Sequence, residues 1–559
     1  MNSFVIGIDY GTDSVRAILV DENTGKEIAS SVSEYKRWKE GLFCSPEKNQ
    51  FRQHPLDYIE GLESVINSLL LENPGVSKQI KAIAIDTTGS TPCFVDKNAT
   101  PLALLDKYKD NPGAMFALWK DHTAVNEAEE INNLIAGWHI DYSKYSGGSY
   151  SSEWLWSKAL HLLRQDDSLR EDAYSIVEHC DWIPALLTGV KKAEDIMLAR
   201  CSAGHKAMWA SEWGGFPSVD FFSKLDNQLG QFVSRMNPET YTCDQSAGTL
   251  SEEWAQKLGL SQDVLVGIGN TDAHAGAVGA GVRYNTLVQN MGTSTCSMVV
   301  MPASEVGNSL VTGISGQVDG SIIPNMIGFE AGMSAFGDVY AWFKKLITAS
   351  TSEIIEQSSV INDLQKKELI REISEKTLIQ LTEKALRKIN ENPTVYATDW
   401  LNGRRNPFLN YNLKATITGL TLSSKAEDIY ASLVEATVFG IKTIVDHFKA
   451  NNVAIEEIVA IGGVPLKSAY VMQMLSDALN MPIRVPDCSQ ACALGAAMFA
   501  STLTGKYKDV TEAQERFSRP DLTTYHPCKV QNEKINKRYE MYLKLKQHTE
   551  NQFKVYVLE

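Results

Sequence analysis

Phe4-Val5-Ile6-Gly7-Ile8-Asp9-Tyr10-Gly11-Thr12-Asp13-Ser14-Val15-Arg16-Ala17-Ile18-Leu19-Val20-Asp21 decides the fold. Two apolar runs, Phe4 to Asp9 and Val15 to Asp21, flank a turn of residues that tolerate unusual backbone angles. The pattern predicts a hairpin with a polar tip. Downstream come a third strand from Glu27 to Tyr35, then a helix with Leu56, Ile59, Leu62, Ile66 and Leu69 on one face, then the apolar run Ala82 to Asp86.

Near residue 265 the pattern is expected to begin again. An apolar run at Val264 to Ile268 precedes a strand near Leu287 to Met291, the turn Gly292-Thr293-Ser294-Thr295, and a strand from Cys296 to Val300. A helix follows from about Asp428 to Lys449, with Ile429, Leu433, Val434, Val438, Ile441 and Val445 inward. Next are a strand at Ile458 to Ile461 ending in Gly462-Gly463, and a helix near Ser468 to Leu479. Strands alternating with helices in both halves predict an α/β protein. The charged stretch Ser352 to Asn392 carries leucines at helical spacing and predicts one or two inserted surface helices with a solvated face. Lys534 to Val555 reads as a final helix packing back on the body.

At 559 residues the chain exceeds one ordinary domain, so at least two are expected. With 43% hydrophobic and 22% charged residues it is a folding chain, which excludes a disordered or collagen-like class. Lys and Arg number 53 against 68 Asp and Glu, a net charge of -15, and no basic patch stands out, so no nucleic-acid partner is expected. Nine cysteines lack zinc or redox spacing; the nearest pair, Cys488 and Cys492, reads as structural thiols. The N-terminal stretch has no basic leader region, and no run reaches the roughly 18 apolar residues of a membrane helix. A cytoplasmic enzyme with no membrane partner is the expectation.

The Asp9–Ser14 turn carries chemistry. Gly11 lets backbone N–H groups approach a phosphate, Thr12 adds a hydroxyl, Asp9 at the strand end can hold Mg²⁺ through water, and Arg16 adds positive charge. A Gly-Thr-Asp turn is also ordinary hairpin chemistry, but a second such turn at Gly292-Thr293, with the glycine pair after a later strand, matches an ATPase of two similar domains. There is no Walker A pattern. Gly267-Ile268-Gly269-Asn270-Thr271-Asp272 lacks the third glycine of a dinucleotide fingerprint. It offers Asp272 instead, a carboxylate at a strand end that can accept a hydroxyl proton during phosphoryl transfer, followed by small residues that permit close approach; Asp272 also reads as a helix cap. Tryptophans at 119, 154, 156 and 209 lie beside charged groups, the combination that holds a sugar. Each taken alone also reads as core. His122 and His274 read as structural.

Trp119-Lys120-Asp121-His122, His179-Cys180-Asp181-Trp182, Gly204-His205-Lys206-Ala207-Met208-Trp209, Asp272-Ala273-His274-Ala275-Gly276 and Gly292-Thr293-Ser294-Thr295-Cys296 resemble the FGGY carbohydrate kinases, from Gly7 to about Leu503. The resemblance implies two ribonuclease H-like domains of the actin and sugar-kinase type flanking a catalytic cleft. The sugar-binding domain would span residues 1–280 and the ATP-binding domain 281–559, with a helical insertion at about 352–392. It implies Asp272 as catalytic base, Asp9 as the Mg²⁺-associated carboxylate, Gly11 and Thr12 as the first phosphate turn, and Gly292 and Thr293 as the second. Gly462 and Gly463 match the adenosine-side glycines, and Lys467 stands where some relatives have asparagine. Trp119, Lys206 and Glu330 match the ketopentose contacts; the family signature near Trp154 to Lys158 is only approximate here. The implied activity is ATP- and Mg²⁺-dependent phosphorylation of the 5-hydroxyl of L-ribulose, within L-arabinose catabolism. Another ketopentose or pentitol (D-ribulose, xylulose, ribitol) stays open as acceptor, as do an actin-like nucleotide switch and a homodimer.

Overall fold

The computed structural model describes residues 3–388 and 394–556, with side chains through residue 552. Met1, Asn2 and residues 389–392 of the expected helical insertion lie outside the described residues. The chain divides into two compact units. The first comprises Met1–Asn285, Met298–Glu330 and Cys488–Pro520; the second comprises Thr286–Ser297, Ala331–Asp487 and Asp521–Glu559. Where the sequence draws one boundary at 280, the units are interleaved along the chain.

In the first unit, Phe4–Tyr10 is buried along its whole length, as a run of apolar residues on both faces of a strand requires. It pairs antiparallel with Ser14–Asp21, which pairs antiparallel with Lys26–Glu34, the expected hairpin and third strand. Lys26–Glu34 forms the edge of the sheet and no residue in it is fully buried. On its other side Phe4–Tyr10 pairs parallel with Ile80–Thr87. Leu265–Gly267 and Asn270–Thr271 both join Ile80–Thr87 in parallel. The apolar run at 264–268 therefore completes the first sheet and does not open the second repeat; the repeat starts at Thr286.

Helix Pro55–Glu72 starts with proline in its first turn and with His54 capping the Leu56 N–H at 3.1 Å. It buries Tyr58, Leu62, Val65, Ile66 and Leu69, while Leu56 and Ile59 are only half-buried, so the inward face is rotated from the expected one. Helix Ala491–Leu503 packs against Phe4–Tyr10 and against helix Asp272–Gly279. The two helices touch through main chain: a Cβ at Gly495 would lie 1.9 Å from the Ala275 carbonyl oxygen, and one at Gly279 2.0 Å from that of Ala491. The small residues after Asp272 permit the close approach expected of them, here by a neighbouring helix.

The second unit holds Thr286–Met291 parallel to Glu457–Ile461, which is parallel to Ile483–Pro486, which in turn pairs antiparallel with Asp521–Tyr525. Helix Ala426–Ala450 buries Leu433, Val434, Val438, Ile441 and Val445, as its period predicts, with Ile429 half-buried. Two helices, Gly337–Gln357 and Asp363–Arg387, cover most of the charged segment; Leu381 and Ala385 are the buried positions of the second, while Leu364, Leu369 and Leu386 face solvent. The final helix, Lys529–Tyr556, is tied back by the Tyr542 hydroxyl, which donates to Asp399 at 2.6 Å. Among the described residues no helix is long and apolar enough to cross a membrane.

Candidate active site

Parallel pairing brings three carboxylates to one end of the first sheet. Asp9 lies opposite Asp86, Asn270 lies opposite Asp86 from the other side, and Asp272 follows directly as the first residue of its helix. Asp86 is fully buried (0% exposed), no N–H or hydroxyl reaches either of its oxygens, and its hydrogen bond is to the Asp9 carboxyl. Asp9 is buried as well, and Arg16, its partner across the hairpin, reaches it at 3.2 Å. Burial drives the Asp9 carboxyl up from its ordinary value, against the pull of Arg16. Asp86 is pushed well up, first by burial and then by the charges of Asp9 and Asp272. Asp272 is half-buried, and desolvation with the repulsion of Asp9 raises it to about 7 although the Ala273 N–H bonds it at 2.6 Å. That is the range in which a carboxylate works as a general base near neutral pH.

Side chains brace the turn above these acids. The Gly11 N–H donates to the Ser14 carbonyl at 3.0 Å, closing the tip. Gln53 donates to the Thr12 carbonyl at 2.6 Å, the Trp119 indole to the Thr12 hydroxyl at 3.1 Å, and the Trp38 indole to Asp13 at 2.8 Å. Tyr58 fixes Gln53 in turn, its hydroxyl donating at 2.5 Å. Trp119 thus sits half-buried with its polar edge on the turn.

Glu330 reaches the same unit by strand pairing. Helix Arg200–Lys206 packs against strand Gly316–Asp319, and Gly316 leaves room for the His205 ring, which a Cβ there would meet at 1.9 Å. Gly316 lies opposite Glu330 on strand Met326–Met333. Glu330 therefore lands on Lys206, whose ammonium donates to it at 2.8 Å, and His274 bonds its other oxygen at 3.1 Å. His205 lies 3.6 Å from that oxygen and bonds Ser321 at 3.0 Å. Although burial works the other way, Lys206 and the two histidines hold Glu330 well below its ordinary value, so it is an anion. Lys206 also lies 5.6 Å above the Trp154 ring.

Among the described residues two groups could bring three metal-ligand atoms within 4.8 Å of one another: Asp9, Asp86 and Cys492, and His205, His274 and Glu330. In the second, the Lys206 ammonium on Glu330 opposes a further cation. In the first, two carboxylates without an adequate cation suit a divalent ion.

In the second unit the turn after Thr286–Met291 is held by main chain. Gly292 N–H donates to the Ser294 carbonyl at 2.9 Å, while the N–H groups of Phe336 and Gly337 donate to the carbonyls of Thr293 and Gly292 at 2.7 and 3.1 Å. Gly462, with φ of 99°, packs on the Met291 carbonyl, which a Cβ would approach to 2.6 Å. Gly463 and Lys467 are exposed.

The structure gathers Asp9, Gly11, Thr12, Arg16, Trp119, Lys206, Asp272 and Glu330 in the first unit and Gly292, Thr293, Gly462, Gly463 and Lys467 in the second. Trp156 is core, its indole bonded to the Ala207 carbonyl at 2.9 Å, and Trp209 spends its N–H on the Pro238 carbonyl at 2.7 Å. Asp86 and Lys158 are absent from the sequence-derived set. Lys158, fully buried, binds the carbonyls of Ser90, Ala117 and Leu118 at 2.6, 3.2 and 2.8 Å, clamping the loop after Asp86 to the segment that carries Trp119. Burial lowers its ammonium to about 7 and raises nearby Glu178 to about 7.

Over its length the chain is similar to proteins of one kind. It is 44% identical over 549 residues to the ribulokinase of Vibrio parahaemolyticus, covering 98% of this chain and 96% of that one. It is 34% identical over 556 residues to the ribulokinase of Halalkalibacterium halodurans, covering 97% and 94%. Its fold matches a crystal structure of xylulose kinase from Rhodospirillum rubrum with a TM-score of 0.75 at 18% identity, over 98% of this chain and 99% of that one. It also matches Plasmodium falciparum glycerol kinase with ADP, with a TM-score of 0.72 at 16% identity, over 98% of each. Residues 4–279 match the N-terminal domain, and residues 287–503 the C-terminal domain, of the FGGY family of carbohydrate kinases. The α/β chain, with carboxylates gathered at one end of its first sheet, is a carbohydrate kinase and belongs to that family.

Proposed function

We propose that the enzyme transfers the γ-phosphoryl group of ATP to the 5-hydroxyl of L-ribulose, giving L-ribulose 5-phosphate and ADP, in the cytoplasm and as a step of L-arabinose catabolism. The observation that carries this reading is Asp272: a carboxylate raised to about 7, in the same unit as the Lys206–Glu330 pair. Relatives that cover nearly the whole chain and are named ribulokinase support the acceptor.

In this mechanism Asp272 takes the proton of the sugar hydroxyl as its oxygen bonds to the γ-phosphorus and the bond to the β-phosphate oxygen breaks. Lys206 and Glu330 present a donor and an acceptor to sugar hydroxyls, and the Trp119 ring covers C–H surface. The turns at Gly11-Thr12 and Gly292-Thr293 supply main-chain N–H groups to the phosphates, and Gly462, Gly463 and Lys467 serve the adenosine side. Mg²⁺ fits the first unit because Asp9 and the buried Asp86 offer hard oxygen donors beside the turn. When bound, the ion offsets charge on the phosphate oxygens.

A coupled ADP assay with L-ribulose, D-ribulose, L-xylulose, D-xylulose and ribitol tests the assignment. The highest kcat/KM is expected with L-ribulose. A higher value with any other member reassigns the acceptor, and ADP release independent of all five overturns it.

A further inference from the structure

Lys158 is a cation where packing alone calls for an apolar residue. It is buried in helix Leu155–Gln165, among Leu155, Trp156, Leu160 and Leu163 of the core. Its ammonium carries three N–H groups and meets three main-chain carbonyls, those of Ser90, Ala117 and Leu118 at 2.6, 3.2 and 2.8 Å. Glu178, whose charge acts on Lys158, gives an oxygen to the Thr91 N–H at 2.7 Å. A methionine of similar volume would avoid the desolvation of a buried ammonium, so stability alone does not account for this residue.

The partners of Lys158 belong to the segments that carry the candidate sugar contacts. Ser90 has φ of 60°, a left-handed backbone that is costly for a residue with a Cβ, and its hydroxyl donates to the Glu153 carbonyl at 2.6 Å. Next to it, an added Cβ at Gly89 would lie 3.9 Å from the side chain of Lys206 and 3.2 Å from that of Thr271, the residue before Asp272. Leu118 directly precedes Trp119, whose indole donates to the Thr12 hydroxyl at 3.1 Å. The chain just before Lys158 also grips the Lys206 segment: the Tyr150 hydroxyl donates to the Lys206 carbonyl at 2.6 Å and the Trp156 indole to that of Ala207 at 2.9 Å.

We propose that Lys158 is a positioning residue for the acceptor: it fixes the spacing between the loop at Gly89-Ser90 and the segment that carries Trp119, and so holds the Trp119 ring against a sugar bound at Lys206. Two separate segments have no spacing of their own, and three bonds from one ammonium join them into a single preorganised wall. An apolar side chain of the same size would leave three carbonyls unbonded, and the loop, strained at Ser90, would relax. The assignment rests on the proposed sugar contacts of Trp119 and Lys206; it is independent of which sugar is the acceptor.

The test measures the KM for ATP and the KM for whichever sugar gives wild type its highest kcat/KM, in Lys158→Met and Lys158→Gln of the full chain. Lys158→Met is expected to raise the sugar KM about 10–100-fold and to leave the KM for ATP within about threefold. Lys158→Gln keeps two N–H donors and is expected to raise the sugar KM about 3–10-fold, which carries the test if the methionine variant does not fold. In a Trp119→Ala background Lys158→Gln should add less than about twofold, because no ring is left to place. An unchanged sugar KM in folded Lys158→Gln, equal rises in both KM values, or the same fold-change with and without Trp119 would each overturn the assignment. Failure of the underlying sugar contacts is read without touching Lys158: a wild-type sugar KM in Trp119→Ala, or wild-type ADP release that no sugar alters, would overturn them and the role of Lys158 together.

Discussion

The turn at Gly11-Thr12 is held by side chains, with Gln53, Trp119 and Trp38 each donating into it, and it rises from the end of the sheet where Asp9 and Asp86 lie side by side. The turn at Gly292-Thr293 is held by main chain, with Phe336 and Gly337 donating to its carbonyls. In sequence the two look like copies. Their surroundings differ: the first turn sits with acids whose protonation is displaced by burial, while the second is held by neutral backbone. On the proposed mechanism, acid–base chemistry belongs to the first unit. The second is suited to holding an anion, a task for which its geometry matters and its ionisation does not.

The comparison breaks most clearly at Asp272. Asp272→Asn is expected to lower kcat by about 10²–10⁴-fold while leaving sugar affinity within a few-fold, as loss of a general base does. Steady-state kinetics on a variant with wild-type circular dichroism decides it; near-normal turnover removes the base from Asp272. On the proposed mechanism, the same residue sets the pH profile. The working form is the deprotonated one, and burial with the charge of Asp9 raises its pKa to about 7. Hence kcat/KM should be level above that pH and fall about tenfold per unit below it. In the residual activity of Asp9→Asn the break should move to lower pH, because a charge that raises Asp272 is gone. A break that stays in place would show that desolvation alone sets it.

Next in size is Glu330→Gln. Lys206 and His274 would lose an anionic partner that they hold at 2.8 and 3.1 Å. The sugar KM is expected to rise about 10–100-fold with a smaller change in kcat, the cost of a charged hydrogen bond made in ground and transition state alike. A kcat effect without a KM effect would move Glu330 from binding to chemistry.

How much of this could be read from the sequence depended on how local each feature is. The hairpin, the helix Ala426–Ala450 and the glycine pair at 462 and 463 are set by neighbours a few residues apart, so period and turn chemistry reveal them. Asp86 was legible too: Ile83-Ala84-Ile85-Asp86 repeats Ile6-Gly7-Ile8-Asp9, and in parallel strands that repetition places the two acids side by side. Glu330 has no such local sign. Its place depends on an antiparallel register with Gly316 and on a helix brought in over that glycine, so it was reached only through family resemblance. The interleaving of the units is equally non-local, since Met298–Glu330 and Cys488–Pro520 join the first unit by packing.

The second turn should respond to shape. Gly462 has φ of 99° and ψ of -172°, a conformation open essentially to glycine, and an added Cβ would meet the Met291 carbonyl at 2.6 Å, directly before Gly292. Gly462→Ala is expected to raise the KM for ATP about tenfold through that displacement, with the sugar KM unchanged. At Gly463 an added Cβ meets nothing within 4 Å, so Gly463→Ala should match wild type in thermal unfolding. Equal destabilisation by both would show that the turn does not lean on Gly462.

The smallest effect is expected at Lys467, and it sharpens the contrast by being small. Lys467 ends the short helix Gly463–Lys467 and is exposed. A solvated ammonium on a flexible stem interacts weakly through water and is screened by salt, about 0–1 kcal/mol for a typical surface pair. Lys467→Ala should therefore change the KM for ATP by less than about fivefold, and that change should vanish as ionic strength rises. If the change is larger and persists in salt, a side-chain cation as well as neutral backbone holds the nucleotide in the second unit. The division of charge between the two units would then be incomplete.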